Sequence, residues 1–188
     1  FVLFLSSCVL QSAEKERVTI KTGAEQTEKY IPLLKGKKIA LVANHSTNIN
    51  GSHLVDSLLS LKVDIQKIFS PEHGFRGKAD AGEHVTNYID KKTGLPVISV
   101  YGGSKKPDLD DLKGIDIVVF DLQDVGVRFY TYISTMHYVM EACAELDIEL
   151  LILDRPNPNG YFVDGPILDT TYKSFVGMHP VPIVHGMT

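Results

Sequence analysis

Three side chains that can hold a charge or transfer a proton follow directly after one predicted strand. In the stretch 63–77, VDIQKIFSPEHGFRG, apolar and polar residues alternate until Pro71 ends the run, and Glu72, His73 and Arg76 come next. Ligands of open α/β sheets bind beyond the carboxyl ends of the strands. The stretch therefore predicts a functional loop, with a solvated charged loop as the alternative.

The other predicted strands also end in residues that can do chemistry. Runs typical of buried strands cover 37–42, 63–69, 96–100, 115–120 and 148–153. In a parallel sheet all their carboxyl ends lie at one edge, so the sequence predicts a single rim of polar side chains. The residues at this rim are Asn44, His45, Glu72, His73, Tyr101, Asp121, Gln123, Asp124, Asp154, Arg155 and Asn157.

Several common kinds of site are absent from the sequence. It has no G-x-G-x-x-G after the first strand, no G-x-x-x-x-G-K-[ST] and no G-x-S-x-G. These absences argue against a dinucleotide site, a nucleoside triphosphate site and a common α/β serine hydrolase, and we expect no cofactor. The rim residues favour general acid–base chemistry, on sugars for example, or a metal site.

Glu72 is the carboxylate that we expect to act as the acid. It follows a proline at a strand end, where partial burial would favour the protonated form of a carboxyl group. The alternative is a structural ion pair with Arg76 or Arg128. His73 either orients Glu72, binds substrate or simply packs at the surface.

A second group of candidates precedes the clearest predicted helix, 131–146. If the segment before this helix is extended, Tyr130 and Tyr132 lie on the same side, and one of them can face the crevice. Packing of both rings on the helix is the alternative. Of Asp121 and Asp124, one can hold a partner in place and the other can pair with Arg128, and structural pairing is the alternative for each.

The predicted fold is α/β and Rossmann-like. Five or more strands, mostly parallel, alternate with helices, which indicates a sheet covered on both faces. One helix is expected to begin with Ser52 as its N-cap, and a polar stretch, 78–95, is expected to be functional or to carry a short hairpin. We divide the chain into a signal remnant at 1–13, a tether at 14–35 and the Rossmann-like domain at 36–188.

The composition is that of an ordinary globular protein, and the N-terminus suggests export. The 188 residues carry a net charge of −4 with no basic stripe, which argues against nucleic acid as a partner. Residues 1–13, FVLFLSSCVLQSA, are typical of the end of a secretory signal, and Cys8 lies where a bacterial lipoprotein is lipidated. We expect a periplasmic or membrane-anchored protein, with Cys143 buried in a helix as a small hydrophobic residue.

Long motifs in the chain resemble one known family, the exo-β-N-acetylmuramidases of the NamZ type, formerly a domain-of-unknown-function family. The resemblance runs from about Gly36 to the last residue. The motifs are PEHGFRG at 71–77, AGE at 81–83, TGLPV at 93–97, FDLQDVGVRFYTY at 120–132, LDRPNPNG at 153–160, GP at 165–166 and HGMT at 185–188.

The resemblance implies an activity and a set of site residues. A terminal N-acetylmuramic acid would be released from the non-reducing end of peptidoglycan fragments, with Glu72 as the catalytic acid and Tyr130 assisting, Tyr132 being the fallback. Arg76, Arg128 or Arg155 would bind the lactyl carboxylate of the substrate. The other substrate-binding candidates are Asn44, His45, His73, Glu83, Asp121, Gln123, Asp124, Tyr132, Asp154, Asn157 and His185.

The resemblance also implies a partner within the protein itself. Members of the family continue after the HGMT motif into a second, smaller domain that forms the other wall of the cleft. The segment in hand can therefore lack activity even with Glu72 intact.

Two other functions fit the same residues. One is a metal-dependent hydrolase that uses His45, Glu72, His73, His84 and Asp121, although their spacing matches no standard zinc pattern. The other is a non-catalytic protein that binds cell-wall sugars.

Overall fold

The computed structural model describes residues 20–77 and 86–187, and a six-stranded sheet lies at its centre. Two single 3-10 turns accompany the regular elements, at Gly23–Glu25 and Thr170–Tyr172. The regular elements, in chain order, are α1 (Thr27–Leu34), β1 (Lys38–Ala43), β2 (Asn48–Ile49), β3 (Ser52–His53), α2 (Leu54–Ser60), β4 (Asp64–Ser70), β5 (Tyr88–Ile89), β6 (Pro96–Ser99), α3 (Leu109–Leu112), β7 (Ile117–Asp121), α4 (Tyr132–Glu145) and β8 (Glu149–Ile152).

The sheet confirms the predicted Rossmann-like class. Its strand order is β5-β6-β4-β1-β7-β8, and every neighbouring pair is parallel except β5 with β6. The antiparallel edge strand β5 lies within the stretch 78–95, for which a short hairpin is one of the two predictions. The strands β2 and β3 form a separate two-stranded hairpin, which the sequence analysis did not predict.

Helices cover both faces of the sheet, as predicted for a buried parallel sheet. Ile39 and Leu41 of β1 belong to a core shared with α1 and α2, while Ala40 and Val42 belong to the opposite core, shared with α3 and α4. Cys143 is buried in this second core, which confirms its predicted role, and burial raises the pKa of its thiol to about 11.

The chain changes direction across the sheet between β1 and β7. From β1 it continues to β4 on one side, and after β7 it continues to β8 on the other side. The loops beyond β1 and β7 are joined by Thr47 Oγ1, which donates to the carbonyl oxygen of Asp121 at 2.7 Å, and by the Gln123 N–H, which donates to Ser46 Oγ at 3.3 Å. Such a reversal is where open α/β sheets form a binding crevice.

The predicted cap of α2 is wrong. Ser52 pairs with Ile49 in the small hairpin, so its backbone is already extended. His53 caps the helix instead, because its Nδ1 accepts from the N–H of Val55 at 3.3 Å, and its Nε2 lies 2.9 Å from the carbonyl oxygen of Asn44. Burial lowers the pKa of His53, so the neutral ring with its proton on Nε2 suits both contacts.

The condition under which Tyr130 and Tyr132 would share one side of an extended segment is not met. Thr131 has a helical backbone conformation, and Tyr132 is the first residue of α4. The two rings nevertheless meet edge to face, with 4.7 Å between their centroids. The two rings meet because α4 begins between Tyr130 and Tyr132, and not because alternate side chains of a strand point to the same side.

Residues 20–35 lie against the rest of the fold. The N–H of Gly23 donates to the carbonyl oxygen of Asp154 at 2.7 Å, and the hydroxyl of the buried Tyr30 donates to the carbonyl oxygen of Ala24 at 2.9 Å. None of the helices in 20–77 and 86–187 has the length and apolar character needed to cross a bilayer. The predictions for Cys8, Glu83 and His84 fall outside the described residues.

Candidate active site

The carboxylate of Glu72 lies between two hydroxyl groups from different loops. Tyr101 donates from its phenol to Oε1 at 2.9 Å, and Thr131 donates from Oγ1 to Oε2 at 3.2 Å. Glu72 itself is half-buried, two residues beyond the end of β4. One predicted candidate therefore sits at the expected rim, with each of its oxygens accepting a hydrogen bond from the protein.

An aromatic pair lies next to this carboxylate. Tyr132 is buried, and its hydroxyl accepts from Nδ2 of the fully buried Asn44. Burial raises the pKa of Tyr132, and the neighbouring Tyr130 phenol and the charge of Glu72 raise it further. Tyr132 therefore keeps its proton, while Tyr130 is the more exposed of the two phenols.

Asn44 connects several parts of the site. Its Oδ1 accepts from both the N–H and the hydroxyl of Ser46, at 2.9 and 2.6 Å, and its own N–H donates to Thr47 Oγ1 at 3.0 Å. With Tyr132 on Nδ2 and His53 on the carbonyl oxygen, each polar group of this buried residue is satisfied. The observed contacts of Asn44 hold the loop after β1 in place.

Asp121 and Arg155 form a buried ion pair at the end of β7. The Arg155 side chain is 7% exposed and Asp121 is fully buried, with Nε to Oδ1 at 2.5 Å and Nη2 to Oδ2 at 2.9 Å. Burial raises the pKa of Asp121, and the two bonds from Arg155 oppose that rise. Arg155 also donates to the carbonyl oxygen of Asn48 at 3.0 Å, which ties the β2–β3 hairpin to the rim.

A second carboxylate lies beside a buried histidine. Asp124 Oδ2 accepts from the N–H of Gly126 at 2.8 Å and lies 3.6 Å from Nε2 of His185. Burial raises the pKa of Asp124. Asp124 Oδ1 and His185 Nε2 are both buried, and neither has a hydrogen-bond partner within the described part of the chain.

Hydrogen bonds from the side chains of Gln123 and Asn157 join the loops next to the pair of Asp124 and His185. Asn157 Nδ2 donates to the carbonyl oxygen of Met187 at 2.5 Å, and Gln123 Nε2 donates to the carbonyl oxygens of Asp124 and Pro156 at 2.7 and 2.9 Å. Asn157 and Gln123 thus use their amides to join loops. The side chain of Asp154 is exposed, and this residue contributes its carbonyl oxygen to Gly23.

Arg76 and Arg128 have different partners from those proposed in the sequence analysis. Arg76 donates to both oxygens of Asp90, at 2.9 and 2.8 Å, and its Nη2 lies 3.9 Å from Asp56. Arg128 donates from Nη1 to the carbonyl oxygens of Pro166 and Val181, at 3.0 and 2.8 Å. The suggested pairing of Asp121 or Asp124 with Arg128 is therefore wrong, since Asp121 pairs with Arg155 and Asp124 faces His185.

The two histidines of the rim lie close to each other. The ring centroids of His45 and His73 are 6.4 Å apart, and His45 is exposed. His73 has φ of 71°, a left-handed conformation that non-glycine residues adopt rarely. Within 20–77 and 86–187, no three His, Cys, Asp or Glu side chains are grouped so that they could hold a metal ion.

Three contacts at the site were missed from the sequence. The sequence places Tyr101 at a strand end without predicting a role for it, and it predicts no place at the site for Thr131 or His53. The sequence signal for Tyr101 is its place directly after a predicted strand, whereas its equal interval with Glu72 becomes visible only in the observed pairing of Ser70 with Ser99. Thr131 carried no signal, since a threonine before a helix usually serves as a cap.

Most of the chain matches a known protein family. The sequence profile of a family described as exo-β-N-acetylmuramidase NamZ, N-terminal, matches residues 39–188. The chain belongs to the NamZ family. A NamZ relative from Bacillus subtilis strain 168, named peptidoglycan β-N-acetylmuramidase NamZ, is 49% identical over 182 residues, which are 95% of this chain and 44% of that protein.

Two solved structures share the fold of this chain. A DUF1343 family protein from Bacteroides fragilis matches with a TM-score of 0.78 and 53% identity, over 88% of this chain and 43% of that one. A second DUF1343 family protein from the same organism has a TM-score of 0.81 and 40% identity, over 92% of this chain and 44% of that one. The chain spans less than half the length of these relatives.

Proposed function

We propose that this chain is the acid-bearing part of a glycoside hydrolase that releases terminal N-acetylmuramic acid from the non-reducing end of peptidoglycan fragments. The single observation that carries the proposal is the 49% identity, over 95% of the chain, to a protein named peptidoglycan β-N-acetylmuramidase. The position of Glu72 adds support, because a half-buried carboxyl group at the crevice of an open sheet suits a proton donor.

In the proposed reaction Glu72 gives its proton to the glycosidic oxygen. The bond between this oxygen and the anomeric carbon breaks, the leaving sugar departs with the proton as a neutral alcohol, and Glu72 becomes a carboxylate. Water finally supplies the hydroxyl group of the released N-acetylmuramic acid and returns a proton to Glu72. Every atom of the products then comes from the glycoside and one water molecule.

The group that first attacks the anomeric carbon has three candidates. They are the phenol of Tyr130, the acetamido group of the substrate, and a water activated by a carboxylate. Tyr130 is supported by its place next to Thr131, which contacts Glu72, and by its exposure relative to Tyr132. We assign Tyr130 an assisting role at the anomeric centre.

For the lactyl carboxylate of the substrate we propose Arg128. The other two arginines each already bind a carboxylate through two nitrogens, Arg76 with Asp90 and Arg155 with Asp121. Arg128 uses only Nη1, and it binds carbonyl oxygens, so within the described residues its charge is not matched by a carboxylate. A guanidinium with free N–H groups can bind a carboxylate through two hydrogen bonds.

The test uses the full-length protein and two glycosides of N-acetylmuramic acid, a 4-nitrophenyl glycoside and a disaccharide with N-acetylglucosamine as the leaving sugar. We expect release of N-acetylmuramic acid from both. Glu72→Gln should lower kcat on the disaccharide by about 10²–10⁴-fold while the protein stays folded. The control is Glu149→Gln, which changes an exposed glutamate at the opposite edge of the sheet and should leave kcat unchanged.

Each rival function predicts a different result. A metal-dependent hydrolase would lose activity in a strong chelator and regain it with added metal. A sugar-binding protein would bind the disaccharide without releasing either sugar. Wild-type turnover by Glu72→Gln would show that Glu72 is not the acid.

A further inference from the structure

The positions of Glu72 and Tyr101 are linked through the register of two neighbouring strands. Ser70, the last residue of β4, pairs with Ser99, the last residue of β6, and the strands are parallel. Glu72 and Tyr101 each lie two residues further along. Because paired parallel strands leave the sheet side by side, their side chains arrive at the rim together, and the phenol meets Oε1 at 2.9 Å.

The backbone of Tyr101 is fixed by short-range bonds at the end of this strand pair. The N–H of Val100 donates to the carbonyl oxygen of Ser70 at 2.9 Å. The Ser99 hydroxyl donates to the carbonyl oxygen of Tyr101 at 3.0 Å and accepts from its N–H at 3.3 Å. These bonds tie the loop that carries the phenol to the strand that carries the carboxylate, so the contact follows from the sheet itself.

The phenol of Tyr101 keeps its proton and can donate it in a hydrogen bond to Glu72. Burial raises the pKa of Tyr101, and the hydrogen bond to Glu72 adds to the rise. Tyr101 therefore stays protonated at neutral pH and always has a hydrogen to offer the carboxylate. The ring of Phe175 lies 6.3 Å away, centroid to centroid, on another part of the chain.

Thr131 holds the other oxygen of the same carboxylate. It is buried, it lies directly before α4, and its side chain makes no capping bond to that helix. Its Oγ1 is 3.2 Å from Oε2 of Glu72. Among the described residues, two separate elements thus each donate to one oxygen, and the two bonds restrain both the plane and the direction of the carboxyl group.

We infer that Tyr101 is a positioning residue for Glu72, with Thr131 as its second contact, an inference that rests on the proposed function. Proton transfer needs the acid to point at the glycosidic oxygen, and small misplacements slow it strongly. As the proton leaves, the charge that develops on Glu72 is met by two hydroxyl donors already in place. Hydrogen bonds to an ionised acceptor are about twice as strong as neutral ones, so both bonds strengthen during the step.

The test compares two leaving groups in the full-length protein. 4-Nitrophenolate leaves without being protonated, whereas the alcohol of N-acetylglucosamine needs the proton. Tyr101→Phe removes only the phenolic oxygen, and it should lower kcat on the disaccharide by about 10- to 100-fold with little change in KM, a range that matches the loss of one hydrogen bond to a charged group. The loss on the nitrophenyl glycoside should be several-fold smaller.

A second substitution and a control make the inference specific. Thr131→Val should reproduce the leaving-group pattern because it keeps the shape and removes the hydroxyl, and Thr131→Ser should restore kcat. The control is Tyr138→Phe, which removes a phenolic oxygen from a tyrosine whose ring packs near Phe175 and should behave as wild type.

The possible outcomes separate the inference from the proposed function. Equal losses on both substrates with Tyr101→Phe, or no loss at all, would overturn the positioning role and leave the hydrolase proposal intact. A wild-type protein that cleaves neither glycoside, or a Glu72→Gln variant as active as wild type, would overturn the proposed function and the inference with it.

Discussion

The guanidinium of Arg155 contacts both carboxylate oxygens of Asp121, and this pair is almost completely removed from solvent. Asp121 is the last residue of β7, and Arg155 lies just beyond the neighbouring edge strand β8. The Arg155 side chain thus joins the ends of β7 and β8. It also joins them to the β2–β3 hairpin through the carbonyl oxygen of Asn48. The pair therefore supports the rim rather than lying free in the crevice.

Removing one partner of this pair should destabilise the protein strongly. Arg155→Ala leaves the Asp121 carboxylate buried without its cation, and we expect the free energy of unfolding to fall by about 3–5 kcal/mol. The comparison is Lys113→Ala, which breaks the exposed pair of Lys113 with Asp110 and should cost less than about 1 kcal/mol. Urea unfolding measures both, and equal costs would contradict the structural role of Arg155.

Gly126 can be tested against a glycine of the same backbone conformation. Gly126 has φ of 73° and Gly114 has φ of 74°, but a Cβ on Gly126 would lie 2.3 Å from the amide of Asn157, while one on Gly114 would meet nothing within 4 Å. Gly114→Ala should cost about 1–2 kcal/mol for the left-handed backbone alone. Gly126→Ala should cost about 1–3 kcal/mol more, because the Asn157 amide must move away and give up its bond to the carbonyl oxygen of Met187.

Both glycine variants are measured by urea unfolding in the same buffer. Identical decreases in the free energy of unfolding would mean that the added methyl group at Gly126 is accommodated without further destabilisation. In that case the close contact between Gly126 and Asn157 would not constrain the site.

The pair of Asp90 with Arg76 predicts how stability depends on pH. The Arg76 guanidinium holds the pKa of Asp90 well below its usual range, with help from Thr93. In the unfolded chain the same carboxyl binds a proton below about pH 4. The stabilisation is therefore present above about pH 4 and is lost as the pH falls through the folded-state pKa.

Two variants test this pH dependence. Asp90→Asn should be less stable than wild type at pH 7, and its stability should fall less steeply between about pH 4 and pH 2. Arg76→Gln should flatten the same part of the profile, because the hydrogen bonds from Arg76 are the main cause of the low pKa. Unfolding midpoints over this pH range provide the measurement, and wild-type slopes in both variants would show that the pair does not set the acid limit.

The proposed role of Arg128 predicts a change in substrate preference. Arg128→Gln should lower kcat/KM on the N-acetylmuramic acid glycoside by about 10- to 100-fold relative to the matching N-acetylglucosamine glycoside, which has no lactyl carboxylate. If Arg128 only binds the carbonyl oxygens of Pro166 and Val181, Arg128→Gln should lower kcat/KM by the same factor on both glycosides. Arg76→Gln is the control, because the partner of Arg76 is Asp90 and its loss should not alter the ratio.

The sheet was predictable because each of its parallel strands carries its own signal. Buried strands such as β1 and β7 are continuous apolar runs, and the helical spacing of α4 is equally clear. The two-residue strands were not predictable, since pairs such as Asn48–Ile49 are too short to show a period. Ser52 was assigned as a cap because local preference favours serine, and the hairpin with Ile49 overrode that preference.

The candidate site was predictable as a set of positions but not as a set of contacts. Strand ends located Glu72, Asp121 and Asp124 at one edge. Partners across the rim depend on strand register and on where loops return, which composition does not encode. Arg155, for example, reaches Asp121 from 34 residues away in the sequence, and no local pattern marks that pairing.

Phe75 anchors the loop of Glu72 in the hydrophobic core. The side chain is fully buried, packs edge to face on His53 at 4.7 Å between centroids, and carries the Arg76 guanidinium 4.7 Å above its ring. The loop is thus held against the hydrophobic core by Phe75, three residues after Glu72. An insertion between Pro71 and Gly77 would displace Phe75 from the core, so relatives should hardly vary in length within this loop.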